Sequence, residues 1–377
     1  MTNSGVALPQ LLAIALGVFA FFGVQVNTAY GESSILGLPP LPYKLTANSD
    51  LVGLGKRLFS DTRLSADGTI ACVTCHQPKH AFTDGKTTAI GIGGQTGTRN
   101  APSLVNIAYA PILFWDGRRA TLETQALDPF ANPLEHGLSD AQAIVGTIRA
   151  DRTYCAAFEK LFTVACNRIR VTHVATAIAA YERTLRFGDA RFDRYEYGHE
   201  ASALTQSEIR GLGIFRGRAR CQTCHTIGEK GALFTDFKFH SLGVGLRSME
   251  HNVGEIATKV HAVPLATLAR NLILKDPAVS ALGRYNVTKR PQDIGKFKTP
   301  SLRNVAITAP YMHDGSVATL DEAVNLEIYY RSGESNQPVI LTPIEKTNLI
   351  AFLRALTSPA FEVGGEKPQR THEQREQ

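Results

Sequence analysis

The motif Cys72-Val-Thr-Cys75-His76 recurs as Cys221-Gln-Thr-Cys224-His225, so the chain contains C-x-x-C-H twice. With 6 Cys and 11 His in 377 residues, composition alone would produce roughly 0.003 such strings per chain. Two thiols one helical turn apart add to the two vinyl groups of a porphyrin, and the adjacent imidazole then reaches the iron. The motifs therefore predict two covalently bound c-type haems, with His76 and His225 as the proximal iron ligands.

A zinc site is the alternative interpretation of these sulfurs, because two C-x-x-C pairs supply four thiolates. Zinc does not require a His directly after the second Cys of each pair, so the pattern favours haem. Cys155 and Cys166 are left over. They either form a disulfide, as an oxidising compartment allows, or stay as buried free thiols on neighbouring helical segments.

The N-terminal segment has the features of a signal peptide. Residues 1–31 contain no charged side chain and include an apolar run at residues 11–24, which is shorter than the roughly 20 residues of a membrane-spanning helix. Ala29 and Gly31 are small residues suited to a cleavage site after residue 31. Because haem is attached to thiols outside the cytoplasm, both features predict a periplasmic protein, with an uncleaved N-terminal anchor as the alternative.

Composition excludes several classes of protein. The chain is 44% hydrophobic and 20% charged, which is enough apolar material for packed cores and argues against disordered, collagenous or disulfide-stapled classes. The net charge of +6 is spread without a run of Lys and Arg, so no nucleic-acid partner is predicted.

The chain also repeats itself outside the Cys motifs. Residues 102–122 align without a gap to residues 300–320, and ten of the 21 positions are identical. Each copy follows a C-x-x-C-H string, so each half reads as one haem-binding unit. We predict a signal peptide at 1–31, an N-terminal haem domain at 32–200, a C-terminal haem domain at 201–363 and a disordered tail at 364–377.

The secondary structure predicted from the sequence is helical. Sustained period-2 alternation is nearly absent, and apolar residues recur at helical spacing in residues 140–148, 171–185, 208–215, 320–330 and 344–356. The predicted fold class is therefore mainly α, with two cytochrome c-like haem domains related by internal duplication.

Residues 51–356 resemble the bacterial dihaem cytochrome c peroxidases and their MauG-like relatives. The resemblance rests on both C-x-x-C-H strings and on five further motifs: Phe114-Trp-Asp-Gly-Arg118, Gln125-Ala, Asn132-Pro-Leu-Glu135, Pro300-Ser-Leu-Arg-Asn304 and Ala309-Pro-Tyr-Met-His-Asp-Gly315. It implies that the N-terminal haem reduces hydrogen peroxide and that the C-terminal haem transfers electrons.

The resemblance also implies roles for individual residues. The family's acid/base carboxylate falls on Glu135 and its companion amide on Gln125, which would orient peroxide by hydrogen bonding. Trp115, the only tryptophan of the chain, falls where the family places an electron bridge between the haems. The family's calcium site maps onto Asn100 and the carbonyl groups of Thr308 and Pro310, atoms that calcium accepts as ligands.

Two positions depart from the peroxidase pattern. Many of these peroxidases close the resting N-terminal haem with a His from the loop that here reads Gly91-Ile92-Gly93. An isoleucine cannot bind iron, so we predict an open, high-spin first haem that reacts with peroxide without prior reduction.

The second departure is at the sixth ligand of the C-terminal haem. The peroxidases place a Met on the helix that here reads Ala323-Val-Asn-Leu-Glu-Ile-Tyr-Tyr330. Ungapped alignment puts Glu327 at that position, whereas a two-residue shift supplies Tyr329, the residue type of the MauG-like proteins. We favour Tyr329, and either oxygen donor should lower the reduction potential of this haem.

The sequence therefore predicts an oxidoreductase, a periplasmic dihaem peroxidase that takes electrons from a c-type cytochrome or a cupredoxin. A MauG-like oxidase that modifies a partner protein is the first alternative, and a non-catalytic dihaem electron carrier is the second. The oligomeric state stays open, a homodimer included.

Overall fold

Short helices form most of the computed structural model, which describes residues 34–43, 48–249, 251–334 and 338–362. The predicted signal peptide and the predicted C-terminal tail lie outside these residues. The chain from Ile35 onward packs as one unit. Among the described residues, no helix is long and apolar enough to cross a lipid bilayer.

Fifteen α-helices and two short strands are described in this part of the chain. The helices are α1 (Ser49–Phe59), α2 (Cys72–Cys75), α3 (Leu122–Gln125), α4 (Asp128–Ala131), α5 (Ala143–Ala150), α6 (Arg152–Phe162), α7 (Val171–Glu182), α8 (Arg191–Glu196), α9 (Gln206–Arg216), α10 (Val253–His261), α11 (Leu265–Asn271), α12 (Pro277–Ala281), α13 (Tyr285–Thr288), α14 (Leu320–Glu334) and α15 (Pro343–Arg354). The strands are β1 (Phe239–Ser241) and β2 (Lys296–Lys298), which pair antiparallel with Phe239 opposite Lys298.

The core of the first half is built on the contact of α1 with α7. α1 begins at a cap in which the Asn48 side chain accepts a hydrogen bond from the Leu51 N–H, and such caps stabilise helix starts by about 1 kcal/mol. Gly55 lets the two helices meet closely, because a Cβ at this position would lie 1.9 Å from the Ala177 carbonyl oxygen. The first C-x-x-C-H packs against this core through Cys72.

A similar contact joins α9 to α15 in the second half. Both helices begin with capping boxes, formed by Thr205 with Glu208 and by Thr342 with Glu345. A Cβ at Gly211 would lie 2.0 Å from the Asn348 carbonyl oxygen, so glycine again permits the close approach.

The backbone conformation recurs at the same offset as the sequence repeat. Asn106 and Asn304 both adopt the left-handed region, with φ of 60° and 61°, and both are buried. Phe114 and Met312 do the same, with φ of 66° and 73°. The two aligned segments therefore share the same left-handed backbone conformation at these positions.

Most of the predicted secondary structure is confirmed. The five predicted helical ranges fall on α5, α7, α9, α14 and α15, and the fold is mainly helical. None of the predicted ranges covers α1 or α6, which have 11 residues each, or the shorter helices α2 to α4, α8 and α10 to α13. The last four pack around a separate apolar cluster that includes Leu268 and Leu282. The sequence left Cys155 and Cys166 either as a disulfide or as free thiols. In the structure they form a disulfide.

Candidate functional site

The first C-x-x-C-H borders a cavity of about 220 Å³, measured as the volume that the centre of a water molecule can occupy. By this measure a single water needs only ~10–15 Å³. Cys72, Cys75 and His76 all line it. The His76 Nδ1 lies 3.0 Å from the Phe82 carbonyl oxygen. Burial lowers the pKa of His76, which favours the neutral ring. Nδ1–H then donates to the carbonyl and Nε2 is left for a metal.

The second C-x-x-C-H borders a cavity of about 210 Å³ by the same measure, lined by Cys221, Cys224 and His225. The His225 Nδ1 lies 2.9 Å from the Phe234 carbonyl oxygen, which repeats the pairing of His76 with Phe82. Apolar side chains of α9, α14 and α15 complete the wall: Phe215, Val324, Leu349 and Leu353.

Two buried guanidinium groups in the first cavity test whether a haem fits there. Arg99 and Arg118 both line it, and each side chain is 7% exposed. Arg99 Nη1 and Arg118 Nε have no hydrogen-bond partner among the described residues. Burial lowers the pKa of Arg99 to about 10. Unpaired buried N–H groups on cations call for an anion, and the propionate groups of a haem are suited to them.

The two cysteines of the first cavity fit the same group. Burial raises the pKa of Cys72 strongly, and it raises the pKa of Cys75 to about 12. An ionised thiolate is therefore disfavoured in this cavity, whereas a thioether bond to a porphyrin leaves the sulfur uncharged. The residues present thus fit a covalently bound haem.

Glu135 and Gln125 both line the first cavity, so the structure brings the two sequence-predicted catalytic residues together with His76. Burial raises the pKa of Glu135 to about 7, although the charge of Arg118 opposes the shift. A carboxyl group with a pKa near 7 exchanges protons readily in either direction at neutral pH. A hydrogen bond fixes the backbone at Glu135, because the Glu135 carbonyl oxygen accepts from the Ile92 N–H at 3.0 Å.

The loop Gly91-Ile92-Gly93 packs against the segment that carries Glu135. A Cβ at Gly91 would lie 1.8 Å from the Leu134 carbonyl oxygen, and a Cβ at Gly137 would lie 2.7 Å from Ile92 Cδ1. Gly91 lines the cavity. Gly91 is therefore the residue of this loop that borders the cavity, and Ile92, at the position where many of the peroxidases have an iron-binding His, is not among the residues that line it.

Trp115 lines both cavities. Its indole Nε1 donates to the Asn100 carbonyl oxygen at 3.0 Å. Among the described residues, those that border both cavities are Asn100, Trp115, Lys298, Thr299, Pro300 and Ser301. The predicted electron bridge thus lies in the wall between the two sites.

The structure does not place Tyr329 at the second cavity. Its side chain is 61% exposed and is not among the residues that line the second cavity, whereas Glu327 is. Two residues along an α-helix correspond to about 200° of rotation, so the two side chains leave α14 on opposite sides. Tyr329 packs instead against Tyr330, with ring centroids 5.3 Å apart.

The residues mapped to calcium lie near one another. Asn100, Thr308 and Pro310 all line the second cavity. The Asn100 side-chain amide donates to the Lys86 carbonyl oxygen at 2.9 Å, which leaves its Oδ1 as the atom suited to a cation. A calcium site here stays a prediction.

Sequence analysis missed five charged residues that line the cavities: Arg99, Arg118, Glu182, Lys298 and Arg303. Arg118 is the last residue of the motif Phe114-Trp-Asp-Gly-Arg118, which supports the family resemblance, but the motif alone indicated no role for this side chain. Glu182 is 4% exposed, and burial raises its pKa to about 8. A lone charged residue at the end of a helical pattern gave no signal, because only the packing of distant segments buries it.

Two cavities, each bordered by a C-x-x-C-H whose His donates to a backbone carbonyl, define the protein as a dihaem oxidoreductase. The family model of di-haem cytochrome c peroxidases matches residues 49–201. The chain is 36% identical over 363 residues to the cytochrome-c peroxidase IdrP1 of Denitromonas iodatirespirans, covering 92% of this chain and 93% of that protein. The chain therefore belongs to the dihaem cytochrome c peroxidase family.

Other relatives include a protein named as a cytochrome c peroxidase and a protein named as MauG. The cytochrome c peroxidase Ccp of Escherichia coli is 35% identical over 84% of this chain, which spans 60% of that longer protein. The methylamine utilization protein MauG of Methylorubrum extorquens is 34% identical over 84% of this chain and 81% of its own length. The family implies an enzyme with two haem c cofactors.

Solved structures show the same fold. A MauG-like protein associated with microbial copper homeostasis is 33% identical, with a TM-score of 0.68 over 88% of this chain and 99% of that one. The diheme peroxidase BthA from Burkholderia thailandensis is 26% identical, with a TM-score of 0.66 over 87% of this chain and 93% of that one.

Proposed function

We propose that the protein reduces hydrogen peroxide to water at the first site, in the periplasm, with electrons from a c-type cytochrome or a cupredoxin. The observation that carries this proposal is the placement of Glu135, a buried carboxyl group with a pKa of about 7, in the cavity bordered by His76. The proposal assigns a function to the Glu135 carboxyl group, which is the transfer of a proton within bound peroxide.

Named residues hold each cofactor. In the first site Cys72 and Cys75 would hold the haem through thioether bonds and His76 would bind its iron. Cys221, Cys224 and His225 would do the same in the second site. When bound, the haem iron supplies the redox chemistry that breaks the O–O bond. Arg99 and Arg118 pair with the propionate groups of the first haem.

Glu135 acts as base and then as acid. Its carboxylate takes the proton from one oxygen of H₂O₂ and returns it to the other oxygen, which leaves as water. Gln125 orients the substrate by hydrogen bonding through its amide. Ile92 cannot bind iron and does not line the cavity, so the peroxide position is open in this proposal and the resting first site reacts without prior reduction.

The second site receives electrons from the donor and passes them through Trp115 to the first. We infer that the two halves, residues 32–200 and 201–363, arose by duplication, because the left-handed turns at Asn106 and Phe114 recur at Asn304 and Met312. Glu327 is the side chain of α14 proposed as the sixth ligand of the second haem, in place of Tyr329. Calcium at Asn100, Thr308 and Pro310 would brace the wall that contains Trp115.

Oxidation of a partner protein is the second candidate, favoured by one observation. α14 carries no methionine and places a carboxylate in the second cavity, and hard oxygen donors favour higher oxidation states of iron. Against one version, the surface tryptophan of MauG-like relatives is replaced here by Arg218-Ala219-Arg220. A pure electron carrier would leave Glu135 and Gln125 without a task.

Stopped-flow mixing of the oxidised holoprotein with hydrogen peroxide separates these functions. A peroxidase changes its haem spectrum on mixing and oxidises many equivalents of reduced cytochrome c. A partner-oxidising enzyme shows the same first phase but slow oxidation of cytochrome c. An absence of any spectral change with peroxide would contradict both and leave the carrier.

A further inference from the structure

The wall between the two cavities contains one charged side chain, Lys298, among the six described residues that border both. Lys298 is the last residue of β2. Its side chain is half-buried, and this burial lowers the pKa of Lys298 to about 8. The mechanism proposed above gives this cation no task.

Two hydrogen bonds tie Lys298 to the segment that carries Trp115. The backbone N–H of Lys298 donates to the Trp115 carbonyl oxygen at 2.8 Å. The side-chain Nζ donates to the Ile112 carbonyl oxygen at 2.9 Å. These hydrogen bonds hold the ammonium group in the segment that contains Trp115.

The charge of Lys298 has no partner in an ion pair within the described part of the chain, since its Nζ donates to a neutral carbonyl. The charge of Asp116 acts on it. That carboxylate is fully buried and is already bound by Arg118 at 3.1 Å, with Arg99 at 3.9 Å. Asp128, the other carboxylate beside Arg118 at 3.6 Å, is also paired with arginine, so the charge of Lys298 has no ion-pair partner of its own among the described residues.

From this arrangement we propose that Lys298 is an electrostatic positioning residue whose ammonium charge raises the reduction potential of the haems on both sides of Trp115. The inference rests on the proposed dihaem function. Reduction of a ferric haem adds a negative charge, and a fixed cation in a poorly solvated wall stabilises that added charge. Because Lys298 borders both cavities, one side chain acts on both sites.

Three variants separate the charge from the hydrogen bond and the packing. Lys298→Met removes the charge and the donor, Lys298→Gln removes the charge but keeps an N–H donor for Ile112, and Lys298→Arg keeps both. None of them removes the backbone N–H that binds Trp115. Lys296→Met is the matched control on the same strand, because Lys296 is 34% exposed and lies 3.7 Å from Asp293.

The experiment is a spectroelectrochemical titration of the holoprotein without peroxide, after haem content and circular dichroism have shown that each variant is folded. We expect the midpoint potentials of both haems to fall in Lys298→Met and Lys298→Gln, and to stay near the wild-type values in Lys298→Arg and Lys296→Met. If Lys298→Met does not fold, Lys298→Gln against Lys298→Arg makes the same comparison.

Three results would overturn the inference. Wild-type potentials in Lys298→Gln would show that only the hydrogen bond to Ile112 matters. An equal fall in Lys298→Arg would show a packing effect, and a wild-type protein that carries fewer than two haems would remove the basis altogether. Because the titration contains no peroxide, a failure of the peroxidase function alone leaves this measurement valid.

Discussion

Trp115 donates its indole N–H to the backbone carbonyl of Asn100 at 3.0 Å, and both residues border the two haem cavities. The Asn100 N–H in turn donates to the His313 carbonyl oxygen at 2.9 Å. Segments from the two halves of the sequence repeat are thus hydrogen-bonded to one another at Trp115. If Trp115 carries electrons between the sites, as proposed, these backbone contacts fix its position.

Replacement of Trp115 should separate the chemistry of the first site from the supply of electrons. We expect Trp115→Phe to slow oxidation of reduced cytochrome c by on the order of tenfold or more, equivalent to ~1.4 kcal/mol of barrier. The fast spectral change with peroxide should persist. Stopped-flow absorbance measures both steps, and an unchanged rate of donor oxidation would argue for a route that bypasses the indole.

Replacement of Glu135 should remove a step of proton transfer. We expect Glu135→Gln to lower kcat/KM for peroxide by about 10²–10⁴-fold, the usual contribution of a general acid/base. The pKa of Glu135 is about 7, and the base is its deprotonated form, so the wild-type rate should rise as pH increases through 7. The variant should lose this dependence.

Glu123 provides the control for that experiment. It lies on α3 and is paired with Arg183 at 2.7 Å, outside the residues that line the first cavity. Glu123→Gln should keep the wild-type pH profile. If it loses the profile as Glu135→Gln does, the titrating group is not Glu135.

The buried carboxyl group of Glu182 should make stability depend on pH. Burial raises its pKa from 4.5 to about 8, so the folded state keeps a proton that the unfolded state releases above pH 4.5. Its contribution to the free energy of unfolding is fully present below that pH and is lost progressively as pH rises through 8. Glu182→Gln should therefore stabilise the protein at pH 8 by on the order of 1–3 kcal/mol, as measured by guanidinium unfolding.

Two features of that unfolding experiment identify the group. The gain should shrink at pH 5, where the wild-type side chain is protonated in the fold. Glu255→Gln, at a site that is 63% exposed, should show little change at either pH. A gain of equal size at both pH values would contradict the assignment to Glu182.

The close contact between α1 and α7 should depend on Gly55 and not on Gly53. A Cβ at Gly55 would lie 1.9 Å from the Ala177 carbonyl oxygen, whereas one at Gly53 on the same helix has no atom within 4 Å. We expect Gly55→Ala to cost about 1–3 kcal/mol through overpacking and Gly53→Ala to stabilise by about 0.5–1 kcal/mol through helix propensity. Equal effects in thermal unfolding would show that the crossing is not as close as described.

The sixth ligand of the second haem can be tested with two variants of α14. Glu327→Met should raise the reduction potential of that haem and give the spectrum of a thioether-ligated iron, because the softer donor favours the ferrous state. Tyr329→Phe should leave the electron paramagnetic resonance spectrum unchanged, since Tyr329 is 61% exposed. A change in Tyr329→Phe alone would restore tyrosine as the ligand.

The sequence by itself determined the two C-x-x-C-H motifs, the aligned repeat and five of the helices. These features are local, because the spacing of Cys and His or of apolar residues along a few turns already specifies them. The missed helices α11 to α13 have only four to seven residues, which is too few turns for a helical period to emerge. α1 has 11 residues and was missed although Leu51, Leu54 and Leu58 recur at helical spacing.

Only the tertiary structure decided which side chains face the cavities. Residues 327 and 329 differ by two positions in the sequence, yet one borders the second cavity and the other lies in solvent. Arg99, Arg118 and Lys298 converge on one wall from segments nearly 200 residues apart. Burial and charge at a site depend on such distant neighbours, so no pattern confined to one segment of the chain could reveal them.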